Sequence, residues 1–318
     1  MFPAMKAVRC IENQARVVAV PAPTGDGVRV KVVSAGICGS DLHLIAMWPL
    51  EATLGHEFAG VLSDGTAVAV EPLDPCWQCD PCRNGDYHRC VRGAAMVIGV
   101  GLDGGMAEEC LVPESAIVPL PAGLTPRDAC LVEPLAVAVH GLRRGDVRTT
   151  DNVAIVGGGA IGLCAVAAAR AIGARVDLGA RHDAQHAAGN QIGAGVLADG
   201  ASSLYDVVVD AAGTAESLQQ CINLAKPGAR MILLATYWGG MQIPGFDLCM
   251  KEINVIPSAQ YNRLGPSRDV DVAATILATN PNIARSLITH RFPLDAAAEA
   301  FAVAADRRAG AIKVVLEP

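Results

Sequence analysis

The feature that most restricts the folding of this sequence is a cluster of four cysteines, spaced Cys76-x2-Cys79-x2-Cys82-x7-Cys90. Thiolates at this spacing can converge on one tetrahedral metal ion. The residues between them are mostly polar and cannot build a hydrophobic core, so a metal must order this lobe. We expect zinc, with a tetrathiolate iron site as the alternative. Four sulfur ligands leave no position for a substrate, which predicts a structural site and a reaction centre elsewhere.

The composition excludes several classes of protein. Of the 318 residues, 52% are hydrophobic and 18% are charged, which predicts buried cores and about two domains. The net charge of −7 and the lack of a basic run argue against nucleic acid or an anionic membrane as a partner. Most of the other cysteines stand singly among apolar residues, and the first ten residues contain no apolar signal segment. We therefore expect free thiols and a cytoplasmic location.

The pattern of strands and helices changes along the chain. Short strand signals dominate the first third, whereas strand and helix alternate from Asp151 onward. This alternation predicts a doubly wound parallel sheet with helices on both faces. It fades after about residue 265, and we expect the remaining tail to return to the first domain. The predicted strands of the alternating region are 153–156, 175–180, 205–211 and 230–235, and its predicted helices are 136–142 and 161–172.

A glycine-rich turn lies between the first strand and the first long helix of this region, where residues 157–162 contain G-x-G-x-x-G. The first glycine permits a tight turn, the second lets the backbone approach a pyrophosphate, and the third lets helix and strand pack closely. The helix N-terminus then faces the phosphates. The predicted dinucleotide-binding residues of this turn are Gly157, Gly159, Ala160, Ile161 and Gly162.

The choice of dinucleotide should be determined at the end of the next strand, where an acidic residue would bind the adenosine ribose. Residues 179–182 read Gly-Ala-Arg-His and contain no acid. Arg181 and His182 could neutralise a 2′-phosphate, which favours NADP(H) over NAD(H). Asp177 supports the alternative, because it lies 20 residues after Gly157 and would favour NAD(H) if the strand ended there.

Two further segments contain residue types that bind metals. Residues 36–43 read Gly-Ile-Cys-Gly-Ser-Asp-Leu-His, and residues 55–60 read Gly-His-Glu-Phe-Ala-Gly. Together with the cysteine cluster, a Glu-Pro pair at 133–134, the glycine turn and a terminal Ile-Lys-Val-Val, they follow a recognisable order. The chain resembles the zinc-dependent medium-chain alcohol dehydrogenases, in the branch that acts on polyols and secondary alcohols. The resemblance extends over nearly the whole chain.

This resemblance implies a second, catalytic zinc ion bound by Cys38 and His56. A carboxylate completes the protein ligands in this branch, and both Glu57 and Glu133 occupy candidate positions. Asp41 corresponds to the residue that would orient His56. Such a ligand set leaves zinc one open position for a substrate oxygen.

The resemblance also implies roles for two neighbouring residues in proton transfer. Ser40 corresponds to the hydroxyl that contacts the substrate oxygen, and His43 to the group that passes the proton to water. Glu57 is the third residue expected to take part in catalysis. The reaction is the reversible transfer of a hydride between an alcohol and a nicotinamide cofactor.

The implied fold has two domains. A GroES-like, mostly β catalytic domain comprises residues 1–136 and is completed by 275–318, while a Rossmann dinucleotide-binding domain comprises residues 137–274. The active site would lie between them. We expect two zinc ions per chain, a small-molecule alcohol or carbonyl substrate, and a homodimer or homotetramer.

Two other functions are compatible with parts of the sequence. A zinc-independent quinone or enoyl reductase of the same superfamily would lack Cys38, His56 and the cysteine cluster, all of which are present. A nucleotide-binding redox sensor could use the cysteine lobe as a thiol switch. It would then bind one zinc ion per chain, whereas the enzyme would bind two.

Overall fold

The computed structural model describes residues 4–306, 308 and 310–318, which form two compact units. The first unit contains the described residues up to Glu133 together with Asn262–Ala284 and Ile288–Pro318. The second contains Pro134–Tyr261 and Arg285–Leu287. The domain boundaries expected from the sequence remain a prediction. The compact units differ from them, because residues 262–274 belong to the first unit and residues 134–136 and 285–287 to the second.

Strands predominate in the first unit, and strands alternate with helices in the second. None of the helices in the described residues is both long and apolar enough to cross a membrane. The strands are β1 (Ala4–Ile11), β2 (Gln14–Pro21), β3 (Val28–Gly36), β4 (Glu57–Val61), β5 (Ala67–Val70), β6 (Glu109–Val112), β7 (Ile117–Pro119), β8 (Asn152–Val156), β9 (Arg175–Gly179), β10 (Gly195–Val196), β11 (Tyr205–Asp210), β12 (Ala225–Leu233), β13 (Asn254–Pro257), β14 (Arg263–Leu264), β15 (Ser267–Arg268), β16 (Ile288–Pro293) and β17 (Lys313–Glu317). The helices are α1 (Gly39–Met47), α2 (Asp80–Arg83), α3 (Val132–Arg144), α4 (Ala160–Ile172), α5 (Asp183–Gln191), α6 (Ala215–Leu224), α7 (Gly245–Met250), α8 (Asp269–Thr279), α9 (Asn282–Leu287) and α10 (Ala297–Ala305).

The main sheet of the first unit contains strands from both ends of the chain. Its order is β16-β17-β3-β4-β5-β7, and β6 also pairs with β3. The final strand, β17, runs antiparallel to β3 with Val315 opposite Gly36 and Leu316 opposite Ala35. Because β3 leads directly into residue Cys38, this pairing brings the C-terminal strand close to the predicted metal ligands.

Arg268 explains why residues 262–274 pack with the first unit. Its guanidinium group donates to the Glu71 carboxylate at 3.2 Å and to the carbonyl oxygens of Ser115 and Ile117 at 3.1 Å each. The Asn262 side chain also donates to Asp86 at 3.2 Å. These contacts attach the segment before α8 to loops that are far away in sequence.

The second unit is built on a six-stranded parallel sheet of order β10-β9-β8-β11-β12-β13. The central strand β11 includes Val207–Val209, which are completely buried, as expected for a strand that is covered on both sides. Helix α6 packs on the face that contains Ala154 and Val208. Helix α5 lies on the opposite face, where Gly189 packs against Leu178. The predicted doubly wound parallel sheet is therefore confirmed.

The strand order reverses between β8 and β11. From β8 the chain moves outward to β9 and β10, and it then crosses to β11 on the other side of β8. In open parallel sheets, ligands bind at the carboxyl ends of the strands beside such a reversal. The glycine turn follows β8 directly, so it lies at this position.

Two glycines of the turn differ in the space around them, which leads to a first prediction. A Cβ atom at Gly162 would lie 1.8 Å from the carbonyl oxygen of Gly157, whereas no atom lies within 4 Å of one at Gly159. We expect Gly162→Ala to destabilise the second unit by about 1–3 kcal/mol and Gly159→Ala to leave its stability unchanged. Thermal unfolding followed by circular dichroism measures both effects. Equal midpoints for the two variants would contradict the close packing of α4 on β8.

Candidate functional site

The sulfur atoms of Cys76, Cys79, Cys82 and Cys90 all lie within 4.8 Å of one another. The Cys79 and Cys82 sulfurs are 3.4 Å apart, Cys79 and Cys90 3.9 Å, and Cys76 and Cys82 4.0 Å. A tetrahedral metal ion with bonds of about 2.3 Å to sulfur requires sulfurs about 3.8 Å apart. The backbone N–H of Cys76 points at the Cys90 sulfur at 3.3 Å, and that of Cys79 at the Cys76 sulfur at 3.4 Å. The lobe therefore has the dimensions of a tetrathiolate metal site.

The protonation of the lobe also favours a bound cation. Backbone N–H groups of Gln78 and Cys79 lower the pKa of Cys76 to about 6. Those of Val91 and Cys82 lower the pKa of Cys79. Burial and the neighbouring sulfurs raise the pKa of Cys82 to about 12. Four thiolates at these distances repel one another, so all of them can be ionised only when a cation neutralises them.

The cysteine lobe is hydrogen-bonded to a buried glutamate, Glu71. Tyr87 lies in the turn between the third and fourth cysteines, and its hydroxyl donates to Glu71. Arg268 donates to the other Glu71 oxygen, and the Trp77 ring lies against Tyr87 with centroids 5.3 Å apart. Burial raises the pKa of Glu71 to about 7, although Tyr87 and Arg268 oppose this shift. A hydrogen-bonded chain thus connects the lobe to the segment before α8.

A second group of donors is formed by Cys38, His56 and Glu57, whose ligand atoms lie within 4.8 Å of one another. Cys38 immediately precedes α1, while His56 and Glu57 lie at the start of β4. The pairing of Gly36 with Glu57 between β3 and β4 brings these residues together. Sulfur, nitrogen and oxygen donors in one cluster suit zinc, and three protein ligands leave a fourth position open.

Asp41 and Ser40 surround the imidazole of His56. Asp41 is completely buried, and one of its oxygens lies 3.3 Å from His56 Nδ1. Its other oxygen accepts from the Cys38 N–H at 2.9 Å. The Ser40 hydroxyl lies 3.3 Å from His56 Nε2. Burial lowers the pKa of His56, but Asp41 and Cys38 outweigh it and raise this pKa well above the usual value. The site therefore attracts positive charge, which fits a metal ion.

Lys313 brings a positive charge to the Glu57 carboxylate. Its ammonium nitrogen lies 2.8 and 2.5 Å from the two Glu57 oxygens and 3.1 Å from the Ile37 carbonyl oxygen. Lys313 is 3% exposed and Glu57 is completely buried. Sequence reasoning did not assign this pair, although a lysine within the apolar strand at 313–317 would need a buried partner.

The other two predicted residues of this site lie outside the donor group. Glu133, in the first turn of α3, is buried, but among the described residues it does not belong to the close donor cluster. His43 is exposed on α1, one turn after Ser40. The structure therefore brings Glu57 rather than Glu133 close to Cys38 and His56.

The glycine turn has the geometry of a phosphate-binding loop. Gly157 has a φ of +115°, which favours glycine, and its N–H donates to the Gly179 carbonyl at 2.8 Å. Gly159 precedes α4, whose first residues are Ala160 and Ile161. The space beside Gly159 is open, and the first N–H groups of a helix have no partner within the helix. This arrangement fits a pyrophosphate at the N-terminus of α4.

The strand β9 ends at Gly179. Asp177, which would favour NAD(H), precedes this end, and Arg181 and His182, which would favour NADP(H), follow it. Asp177 lies inside the strand, where its carboxylate accepts a hydrogen bond from the Tyr205 hydroxyl at 3.0 Å. Arg181 and His182 follow the strand, and Arg181 is exposed. The sequence predicts Tyr205 only as part of the strand at 205–211, because no local pattern connects it to Asp177.

Comparison with known proteins identifies the family. The model of the alcohol dehydrogenase GroES-like domain matches residues 24–122, and that of the zinc-binding dehydrogenase family matches residues 160–278. L-galactonate-5-dehydrogenase from Escherichia coli strain K12 is 30% identical over 309 residues, which cover 89% of each chain. The chain belongs to the zinc-dependent medium-chain alcohol dehydrogenases. This membership confirms the resemblance drawn from the sequence motifs and the predicted GroES-like and Rossmann folds.

Solved structures of other dehydrogenases agree closely with this one. A zinc-binding dehydrogenase from Sinorhizobium meliloti 1021 bound to NADP is 31% identical, with a TM-score of 0.88 over 99% of this chain and 100% of the other. Galactitol-1-phosphate dehydrogenase from Escherichia coli is 29% identical, with a TM-score of 0.87 over 99% and 100%. The chain is accordingly a zinc-dependent alcohol dehydrogenase that uses a nicotinamide cofactor and a small-molecule substrate.

The buried Glu71 gives this dehydrogenase a predicted pH dependence. The pKa of Glu71 is raised from 4.5 to about 7 in the folded chain, so the folded state binds this proton more tightly than the unfolded state. Its contribution to stability is present below pH 4.5 and is lost as the pH rises through 7, by about 3 kcal/mol. We expect Glu71→Gln to remove this loss, so that the variant gains stability relative to the wild type between pH 5 and pH 7.

The matched control for this prediction is Glu114→Gln, which changes an exposed glutamate of the same unit. Thermal unfolding at a series of pH values measures all three proteins. A stability difference between Glu71→Gln and the wild type that is the same at pH 5 and pH 7 would show that Glu71 is not protonated in this range.

Proposed function

We propose that the chain binds two zinc ions at the two donor clusters. Cys76, Cys79, Cys82 and Cys90 would hold the structural ion, which is supported by sulfur separations of 3.4–4.0 Å. The catalytic ion would be held at the second cluster, and the short distances among its three donors are the observation on which the proposed function rests. The ligands of that ion would be Cys38, His56 and a carboxylate from Glu57 or Glu133.

The proposed reaction is the reversible oxidation of a secondary alcohol or polyol to the corresponding ketone. The carbinol carbon loses a hydride to the nicotinamide ring of the cofactor, and the hydroxyl group loses a proton. The relatives named L-galactonate-5-dehydrogenase and galactitol-1-phosphate dehydrogenase support this class of substrate. Zinc, when bound, supplies a Lewis acid that lowers the cost of removing the hydroxyl proton.

The residues around the second cluster are suited to moving that proton. Ser40 lies beside His56 Nε2, the nitrogen that faces away from Asp41. We infer that the Ser40 hydroxyl takes up the substrate proton while it releases its own, and that His43, exposed one turn later on α1, passes the released proton to water. Lys313 donates to both oxygens of Glu57 and so places a positive charge beside the buried carboxylate.

We propose that the preferred cofactor is NADP(H). Arg181 and His182 follow the end of β9, where the 2′-phosphate of the adenosine ribose would bind. The position of Asp177 supports this preference, because its carboxylate is engaged by Tyr205 within the strand and is not at the strand end. The dehydrogenase from Sinorhizobium meliloti that resembles this chain was crystallised with NADP.

We further propose that the enzyme is a homodimer or homotetramer located in the cytoplasm. The α7 helix exposes Phe246 and Met250 by 78% and 66%, and such apolar surface favours association with a second subunit. None of the eleven cysteines, all of which lie in the described residues, forms a disulfide, and a reducing compartment maintains such a state.

Replacing a ligand of the second cluster tests the catalytic zinc. We expect Cys38→Ser to reduce the zinc content from two ions to one per chain and to lower turnover at least about a thousandfold, because the Lewis acid is lost. Cys249→Ser, which changes an exposed cysteine outside both clusters, should retain two ions and full activity. Atomic absorption and a nicotinamide absorbance assay with a panel of secondary alcohols and polyols give both quantities. One zinc ion in the wild type would instead favour the redox sensor.

Replacing Arg181 tests the cofactor preference. We expect Arg181→Gln to weaken NADPH binding roughly tenfold or more through loss of a charged contact to the 2′-phosphate, while NADH binding changes little. Arg175→Gln is the matched control, since Arg175 is an exposed arginine at the opposite end of the same strand. Fluorescence titrations of the wild type and both variants with NADPH and with NADH measure the affinities. Tighter binding of NADH than NADPH by the wild type would refute the preference.

A further inference from the structure

A completely buried aspartate at the end of the central strand β11 accepts four hydrogen bonds. One oxygen of Asp210 accepts from the backbone N–H groups of Ala212 at 2.9 Å and Gly213 at 3.0 Å. The other oxygen accepts from the hydroxyl groups of Ser217 at 2.9 Å and Tyr237 at 2.5 Å. Asp210 therefore holds the loop after β11, the start of α6 and the segment after β12 in one arrangement.

These segments lie at the carboxyl edge of the sheet, beside the glycine turn. A Cβ atom added at Gly157 would approach the backbone of Ala211 and Ala212 to 2.9 Å. One added at Gly213 would approach the Ala235 side chain to 2.9 Å. The loop at 211–213 is thus packed between the glycine turn and the segment that contains Tyr237.

The two halves of a dinucleotide occupy opposite sides of the strand-order reversal in this type of sheet. The adenosine half belongs to the side of β8 and β9, where Arg181 follows β9. The nicotinamide half belongs to the side of β11 and β12, where the loop at 211–213 and Tyr237 are found. Tyr237 is half-buried, so part of its ring remains accessible at this edge.

We propose that Tyr237, held by Asp210, is a positioning residue for the nicotinamide half of the cofactor. Its hydroxyl bonds the segment after β12 to Asp210 at the end of β11. This bond would fix the position of that segment relative to the loop at 211–213, and both would line the nicotinamide subsite. This inference rests on the proposed dinucleotide binding, but not on whether NADP(H) or NAD(H) is preferred.

The chemistry of the Tyr237 hydroxyl suits this role. Burial, the hydrogen bond to Asp210 and the negative charge of that carboxylate raise the pKa of Tyr237 well above its usual value. The hydroxyl therefore remains protonated and continues to donate throughout the pH range of an enzyme assay. Phenylalanine would keep the ring but remove the donor, so the hydrogen bond between the Tyr237 side chain and the Asp210 carboxylate would be lost while the backbone pairing of β11 with β12 remains.

The same two strands contain a matched lysine–aspartate pair. The Lys226 ammonium group donates to Asp206 at 2.6 Å near the starts of β12 and β11, whereas Asp210 ends β11. Lys226→Met therefore removes a comparable hydrogen bond to an aspartate of β11 at the edge of the sheet opposite the glycine turn. It controls for a general loss of stability in the second unit.

The test compares ligands with and without the nicotinamide group. Wild type, Tyr237→Phe and Lys226→Met are titrated with NADPH by fluorescence and with 2′-phospho-ADP-ribose by calorimetry, and with NADH and ADP-ribose in parallel. We expect Tyr237→Phe to raise the Kd of the preferred dinucleotide roughly tenfold, the effect of losing one hydrogen bond to a charged group. The Kd of the matching ligand without nicotinamide should change less than about twofold. Lys226→Met should change neither value.

The other outcomes overturn the inference in distinguishable ways. Equal weakening of both ligands by Tyr237→Phe would show that the tyrosine acts on the whole site rather than on the nicotinamide half. A lower unfolding temperature with unchanged affinities would reduce Tyr237 to a structural role. If the wild type bound neither NADPH nor NADH, the dinucleotide site itself would be refuted, and this inference with it.

Discussion

Anionic groups held close together in this protein depend on positive charge to remain ionised. The clearest case is the cysteine lobe, where sulfurs 3.4–4.0 Å apart need a cation if all are to be thiolates. The same requirement applies at the second cluster, where Lys313 reaches the buried Glu57. Glu71 differs, because burial raises its pKa to about 7 even though Arg268 reaches one of its oxygens. The proposed metal ions would meet this electrostatic constraint at the two donor clusters, and Lys313 adds a basic side chain at Glu57.

Local patterns allowed much of this arrangement to be predicted from the sequence. Cysteine spacing identified the lobe, and the glycine string between strand and helix identified the phosphate-binding turn, because both depend on neighbouring residues. Helix α3 was predicted at 136–142 but extends over Val132–Arg144. Its third residue is Pro134, which the first turn of a helix tolerates because no N–H is needed there. Pro134 is thus compatible with a helix that starts at Val132, four residues before the predicted start at residue 136.

Contacts between distant segments could not be predicted in this way. The pairing of Glu57 with Lys313 joins residues 256 positions apart on β4 and β17, the two strands on either side of β3. Tyr205 reaches Asp177 and Tyr237 reaches Asp210 across strands whose register only the folded sheet defines. Sequence reasoning could state that a buried lysine or aspartate needs a partner, but not which residue provides it.

The position of Lys313 in the final strand has a consequence for biosynthesis. Glu57 is translated 256 residues before the lysine that neutralises it. A nascent chain can form the cysteine lobe from local sequence alone, but the second cluster obtains its full charge balance only when β17 pairs with β3. A chain that terminated before β17 would therefore bury the Glu57 carboxylate without its counter-ion.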